Sequence, residues 1–123
     1  MSMKLLIVDD ESDVREFAAN FFRKRKFEVS TASSGEEALK AAEIQQPNIV
    51  ILDIKMSGMD GIEVLRKLKE LNKRIKVIMI TGRNDEEAKK ETSELGACGY
   101  LHKPLELDEL MGVVIRMRGR ADD

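Results

Sequence analysis

Residues 4–13 read KLLIVDDESD, an apolar strand that runs straight into acid. Asp9 and Asp10 stand side by side where such a strand ends, and Glu11 and Asp13 follow with no lysine or glycine between them. In a half-buried crevice water screens poorly, and a carboxylate pair at about 4 Å costs roughly 4 kcal/mol at an effective dielectric near 20. Something bound there has to offset that cost, unless the pair merely caps the helix that follows, where acids suit the N-terminal dipole.

The same form, a short apolar run followed by a helical pattern, recurs five times along the 123 residues. Such alternation marks repeated βα units around a parallel sheet, an α/β fold in one domain covering 1–123. The strands fall at 4–8, 27–31, 48–52, 76–80 and 98–101. NIVIL (48–52) and KVIMI (76–80) are nearly continuous apolar, as central strands covered on both faces are, whereas FEVST (27–31) alternates like an edge. Val14, Phe17, Ala18 and Phe21 trace one helical face, Ala38, Leu39, Ala41 and Ala42 a second, and Val64, Leu65, Leu68 and Leu71 a third. Ser34 and Asp60 stand at N-cap positions, and Gly96 where a helix stops. The fourth helical pattern, within NDEEAKKETSEL (84–95), offers a core only Ala88, Thr92 and Leu95, so it anchors weakly. In the last helix Leu107, Leu110, Met111, Val114 and Ile115 make a full stripe, and Val113 with Met117 widens it. That excess reads equally as a partner surface or as a loosely packed terminal turn.

Bulk composition excludes several classes. Hydrophobic residues make up 42% and charged residues 36%, and 21 basic against 23 acidic side chains leave a net charge of −2. Such a balance gives no general attraction to nucleic acid or anionic membrane. A single cysteine, Cys98, rules out an internal disulfide and reads as a small buried residue, and His102 is the only histidine, so a structural zinc site is not expected. The apolar run Leu5–Val8 is too short for a signal peptide, no stretch approaches a membrane span, and the chain reads as cytoplasmic. Arg23, Lys24, Arg25 and Lys26 close the first helix, where cations suit the dipole, and read as a solvated helix end.

In an open parallel sheet, the loops leaving the C-terminal strand ends gather on one edge and form the site. In this chain those ends carry Asp9, Asp10, Asp53, Thr81 and Lys103. Each has a plain alternative as a cap, a turn residue or a solvated charge, but one topology would have to bring all five to one rim by accident. Hard carboxylate oxygens suit Mg²⁺, which would relieve the repulsion between the acids. The metal would also hold a phosphoryl group beside Asp53, a carboxylate able to act as nucleophile, with Thr81 and Lys103 on the phosphoryl oxygens.

IVDDE (7–11), VILDIKM (50–56), GMDGIEVL (58–65), VIMITG (77–82), GYLHKP (99–104) and LDELM (107–111) together resemble the receiver domain of two-component response regulators, from Lys4 to about Arg116. The resemblance implies a flavodoxin-like (βα)5 three-layer sandwich with strand order 2-1-3-4-5. It also implies that Asp53 accepts a phosphoryl group, becoming a 4-aspartylphosphate, from a sensor histidine kinase or histidine phosphotransfer protein. It makes Asp10 the direct ligand of Mg²⁺ (or Mn²⁺), Asp9 a ligand through water, and Asp53 with the backbone carbonyl of Lys55 the others. Thr81 and Lys103 match the switch hydroxyl and the phosphate-binding lysine, Tyr100 the switch aromatic, and the Lys103–Pro104 bond is expected cis. Phosphorylation would switch the surface of the fourth helix, fifth strand and fifth helix, with a homodimer as one output, and the protein would be a phosphoacceptor rather than an enzyme. Lys55 and Arg83 lie where the family tunes phosphate lifetime, and Ser57 replaces a frequent proline.

Two rivals fit less well. A haloacid-type phosphatase needs a second acid two residues after the nucleophile, where Lys55 stands, and a nucleotide- or flavin-binding module needs a glycine-rich loop where VDDESD (8–13) has none. A receiver that has lost phosphorylation would lack site residues, and all five are present. No output domain is expected in the chain, so either a downstream partner or an output domain missing from this sequence is implied.

Overall fold

The computed structural model describes residues 3–56, 58–82 and 86–118. Strands β1 (Lys4–Val8), β2 (Glu28–Ala32), β3 (Ile49–Asp53), β4 (Lys76–Thr81) and β5 (Gly99–His102) alternate with helices α1 (Ser12–Arg23), α2 (Gly35–Gln45), α3 (Gly61–Leu71), α4 (Glu86–Glu94) and α5 (Leu107–Arg118). The strands pair in parallel in the order β2-β1-β3-β4-β5, the flavodoxin-like arrangement. β3 is buried along its whole length and β2 begins exposed, as their apolar and alternating patterns predict.

Alternation along the strands divides the interior. Leu5, Ile7, Ile49, Ile51, Ile78 and Ile80 face α1 and α5, and Leu6, Val8, Val50, Leu52, Val77 and Met79 face α2 and α3. Two dry cores therefore lie back to back, with the sheet as their common wall. Helix entries follow the sequence signals: Ser34 Oγ accepts the Glu37 N–H at 3.2 Å, and Asp60 Oδ1 accepts the Glu63 N–H at 3.0 Å. Gly96 leaves α4 at φ +100, a left-handed conformation that a side chain would strain.

Several expectations shift. Four strands start or end one residue later than the pattern suggests, so Asp53 and Thr81 are the last residues of their strands. The buried face of α1 is Ala18, Ala19 and Phe22, one position on from the predicted stripe, and it leaves Phe17 70% exposed. On α3, Leu71 is exposed rather than part of the core. Cys98 is exposed, because it precedes β5, outside the covered part of the sheet. The expectation for α4 holds, since Thr92 is its only buried residue among those described.

On α5 the apparent surplus is core. Val113 and Met117 are buried, and Ile115 is 47% exposed. Gly99 is the reason: a Cβ there would stand 3.2 Å from Val113 Cγ1, so the bare backbone of β5 lets Val113 seat against the sheet. The apolar excess available to a partner shrinks to Ile115 and the half-buried Met111. Val113→Ala is expected to cost about 2 kcal/mol in urea unfolding, and Ile115→Ala to stay within about 0.5 kcal/mol.

Candidate functional site

Parallel strands deliver their C-terminal ends to one rim. Asp9 and Asp10 follow the last residue of β1, Asp53 and Thr81 are the last residues of β3 and β4, and Lys103 follows β5. Asp9, Asp53 and Thr81 are 5%, 2% and 4% exposed, while Asp10 is open to solvent. One carboxylate oxygen from each of Asp9, Asp10 and Asp53 lies within 4.8 Å of the others. The five residues that the sequence assigns to one edge are thus on one edge.

Lys103 is the positive charge in this cluster. Its Nζ stands 2.9 Å from Asp53 Oδ2, 3.4 Å from Glu11 Oε1 and 3.8 Å from Asp9 Oδ2. The other Asp53 oxygen, Oδ1, accepts the Lys55 N–H at 3.1 Å, so both oxygens are oriented. Lys103 is itself held by its N–H on the Thr81 carbonyl at 2.7 Å, and the Lys103–Pro104 bond is cis. Burial by itself would push the Lys103 ammonium down, but the Asp53 hydrogen bond and the charges of Asp53 and Asp9, with help from Glu11, outweigh it and raise its pKa.

Asp9 responds in the opposite sense to a usual carboxylate in an ion pair. Burial raises its pKa first and the Asp53 charge adds to this, against the Glu11 N–H at 2.9 Å and the Lys103 charge, which lower it. Its folded form therefore holds the proton more tightly than the unfolded chain does. The stability this gives is full below the ordinary carboxylate range and is lost as pH rises through the raised folded value, so ionised Asp9 opposes folding at neutral pH. A hard divalent cation fits this donor set on chemical grounds: three carboxylates offer only oxygen, two are already ordered by backbone N–H groups, and their mutual repulsion is what such an ion relieves.

Three contributors escaped the sequence reading. Glu11 joins Lys103 across the rim, Arg15 donates from Nη1 to the Asp9 carbonyl at 2.7 Å, and Gly61 lets α3 abut the end of β3. A Cβ on Gly61 would lie 2.4 Å from the Asp53 carbonyl oxygen, and the Gly61 N–H already bonds the Ile54 carbonyl at 2.8 Å. The spacing of DGIEV carries only the helix start, since the close approach is tertiary. Tyr100 is half-buried and meets His102 edge-on at 5.6 Å, and His102 is exposed. Lys55 is exposed and lines a cavity of about 430 Å³ with Thr81 and Ala88, between the β3–α3 loop and α4. Arg83 and Ser57 lie outside the described residues.

Sheet order and acidic rim agree with a signalling receiver of the two-component class, the family that the comparison of sequences gives. The model of the response regulator receiver domain matches residues 5–115, and the chain belongs to that family. Sporulation initiation phosphotransferase F of Bacillus subtilis is 36% identical over 114 residues, 93% of this chain and 92% of that protein. The alkaline phosphatase synthesis transcriptional regulatory protein PhoP of the same organism is 38% identical over 104 residues, 85% of this chain but 43% of the regulator. Among solved structures, a response regulator receiver domain protein from Methanospirillum hungatei superposes with TM-score 0.90 at 28% identity, covering 97% of this chain and 96% of that one. A chain of the CheX-CheY-BeF3-Mg+2 complex from Borrelia burgdorferi superposes with TM-score 0.89 at 32% identity, covering 94% and 89%. No helix among the described residues is long and apolar enough to cross a membrane.

Asp9→Asn keeps an oxygen for the Glu11 N–H and removes the opposing charge. It is expected to stabilise the protein at pH 7 by about 1 kcal/mol, a gain of a few degrees in Tm that vanishes near pH 3, as paired thermal melts would read. Gly61→Ala is expected to cost about 1–3 kcal/mol in urea unfolding, because the new methyl meets rigid backbone.

Proposed function

We propose that this domain, spanning 1–123, is a phosphoacceptor that takes a phosphoryl group from a phosphohistidine donor, a sensor histidine kinase or a histidine phosphotransfer protein, onto Asp53. The observation that carries the reading is the setting of Asp53, 2% exposed, with one oxygen on Lys103 at 2.9 Å and the other on the Lys55 N–H. An Asp53 oxygen attacks phosphorus, the P–N bond of the donor breaks, and the imidazole leaves with the electron pair. Lys103 and the Thr81 hydroxyl then hold the phosphoryl oxygens where charge builds. Asp10, Asp9 through water, Asp53 and the Lys55 carbonyl would hold Mg²⁺ or Mn²⁺, which when bound would supply positive charge to neutralise the carboxylates and the incoming phosphoryl oxygens. Lys55 and Arg83 adjust how long the aspartyl phosphate lasts. The domain is a signalling component in the cytoplasm rather than a turnover enzyme.

The readout is a shift of the α4–β5–α5 surface toward a downstream partner or a further domain, with a second phosphorylated copy as one such partner. Thr81 moves toward the phosphate and Tyr100 turns inward behind it. Two observations favour this: Thr92 is the one fully buried residue of α4 among those described, and the cavity beside Thr81 and Ala88 gives that end of the helix room to move. For the donor, the exposed Phe17 borders a cavity of about 440 Å³ that Lys103, Pro104 and Leu105 also line, an apolar surface that shares Lys103 with the acidic rim.

Intact mass after incubation with Mg²⁺ and a small acyl phosphate is expected to rise by one phosphoryl group in the wild type. Asp53→Ala and an EDTA-treated sample should stay unmodified. A phosphoryl group retained by Asp53→Ala would move the acceptor to another residue, and none in the wild type, with no beryllofluoride binding either, would make the domain a pseudo-receiver.

A further inference from the structure

The rim opposite the acids carries the reverse charge. There the strands begin and the helices end, and Lys4, the run Arg23–Lys26, Lys73, Arg74, Lys76 and Arg116 outnumber the acids Glu70, Glu94 and Glu28, the last of which pairs with Lys4. Within that rim, where the turn between α2 and β3 meets the turn between α3 and β4, lies a cavity of about 320 Å³, within the range of small-molecule sites. Ile49 at the start of β3 lines it, four residues from Asp53 and so about 13 Å from the acidic site.

Its chemistry is one-sided. Pro47, Ile49, Ile75 and Met117 are buried and form an apolar floor. Asn48 Oδ1 accepts the Lys4 N–H at 2.8 Å and Asn72 Oδ1 accepts the Arg74 N–H at 2.9 Å. With each amide oxygen taken by backbone, each NH₂ is the donor left over, with no partner among the described residues. The Arg74 guanidinium likewise forms no ion pair or side-chain hydrogen bond among the described residues. Lys76 adds a second cation, and no carboxylate is among the described residues that line the cavity.

We infer that this cavity is a binding site for a small organic phosphate, whose phosphate is taken by Arg74, Lys76 and the NH₂ groups of Asn48 and Asn72, and whose apolar body rests on Ile49, Ile75 and Met117. A phosphate is favoured over a carboxylate because these donors come from two separate turns, and three terminal oxygens meet more of them than two. Asn48, Asn72 and Arg74 are exposed, so water occupies these donors until a ligand replaces it. The site is independent of the Asp53 reading, since it lies at the other end of the sheet and uses none of the same residues.

The test is an amide and side-chain NH₂ titration by heteronuclear NMR, without Mg²⁺, with phenyl phosphate as the probe and inorganic phosphate and benzoate beside it. Saturable shifts at the Asn48 and Asn72 NH₂ groups and at Ile49 and Ile75 are expected with phenyl phosphate. Binding should weaken about tenfold or more in Arg74→Gln, a surface change that leaves the melting temperature and Asp53 phosphorylation unaltered. Equal affinity for inorganic phosphate would remove the organic body from the proposal, and tighter binding of benzoate would replace the phosphate. Shifts that never saturate, or that persist unchanged in Arg74→Gln, would reduce the rim to unspecific ionic attraction and overturn the site.

Discussion

Parallel pairing is the constraint from which the rest follows. A strand that must run beside its neighbour in the same sense can only be reached by crossing a face of the sheet, so every connection here is a helix and every strand finishes on the same rim. Residues far apart in the chain, from Asp9 to Lys103, become neighbours without any contact between their own segments in sequence. The same rule sends all strand starts to the opposite rim, and the two ends of the molecule acquire opposite charge.

The acidic rim is a compromise between folding and chemistry. Asp9 and Asp53 are buried where an apolar pair would pack at no electrostatic cost, and Lys103 compensates only in part, since Asp9 remains harder to ionise than in the unfolded chain. The backbone limits the damage by ordering the acids: Glu11 and Lys55 each give an N–H to the carboxylate two residues earlier. What looks like poor design for stability is excess negative charge held in place, the mark of a functional site rather than of a packed core.

The fold was legible because its signals are local and repeated. Apolar runs at 4–8 and 76–80, the caps Ser34 and Asp60, and the stop at Gly96 each sit where the chain uses them. Helix faces were less legible, because composition reports which residues are apolar and not which of them the sheet touches. On α1, Arg15 takes the first position of the buried stripe to reach the Asp9 carbonyl, and the face turns by one residue, leaving Phe17 outside. On α5 the deciding residue is not on the helix at all, since Gly99 of β5 makes the space that Val113 fills. That Asp9, Asp10, Asp53, Thr81 and Lys103 meet on one rim was legible from strand ends alone, whereas the contacts of Glu11, Arg15 and Gly61 depend on distances that no spacing encodes.

The division of the interior by the sheet has a consequence for how such a chain diverges. Substitutions among Ala18, Phe22 and Val114 are felt on one side, and those among Ala38, Leu65 and Leu68 on the other, with the strands of the sheet as the shared material. Effects of changes separated in this way tend to add rather than interact. One side carries the exposed Phe17 and the other α4, with Thr92 as its one fully buried residue among those described, so the surfaces of the two sides can diverge in separate steps, without either change having to wait for the other.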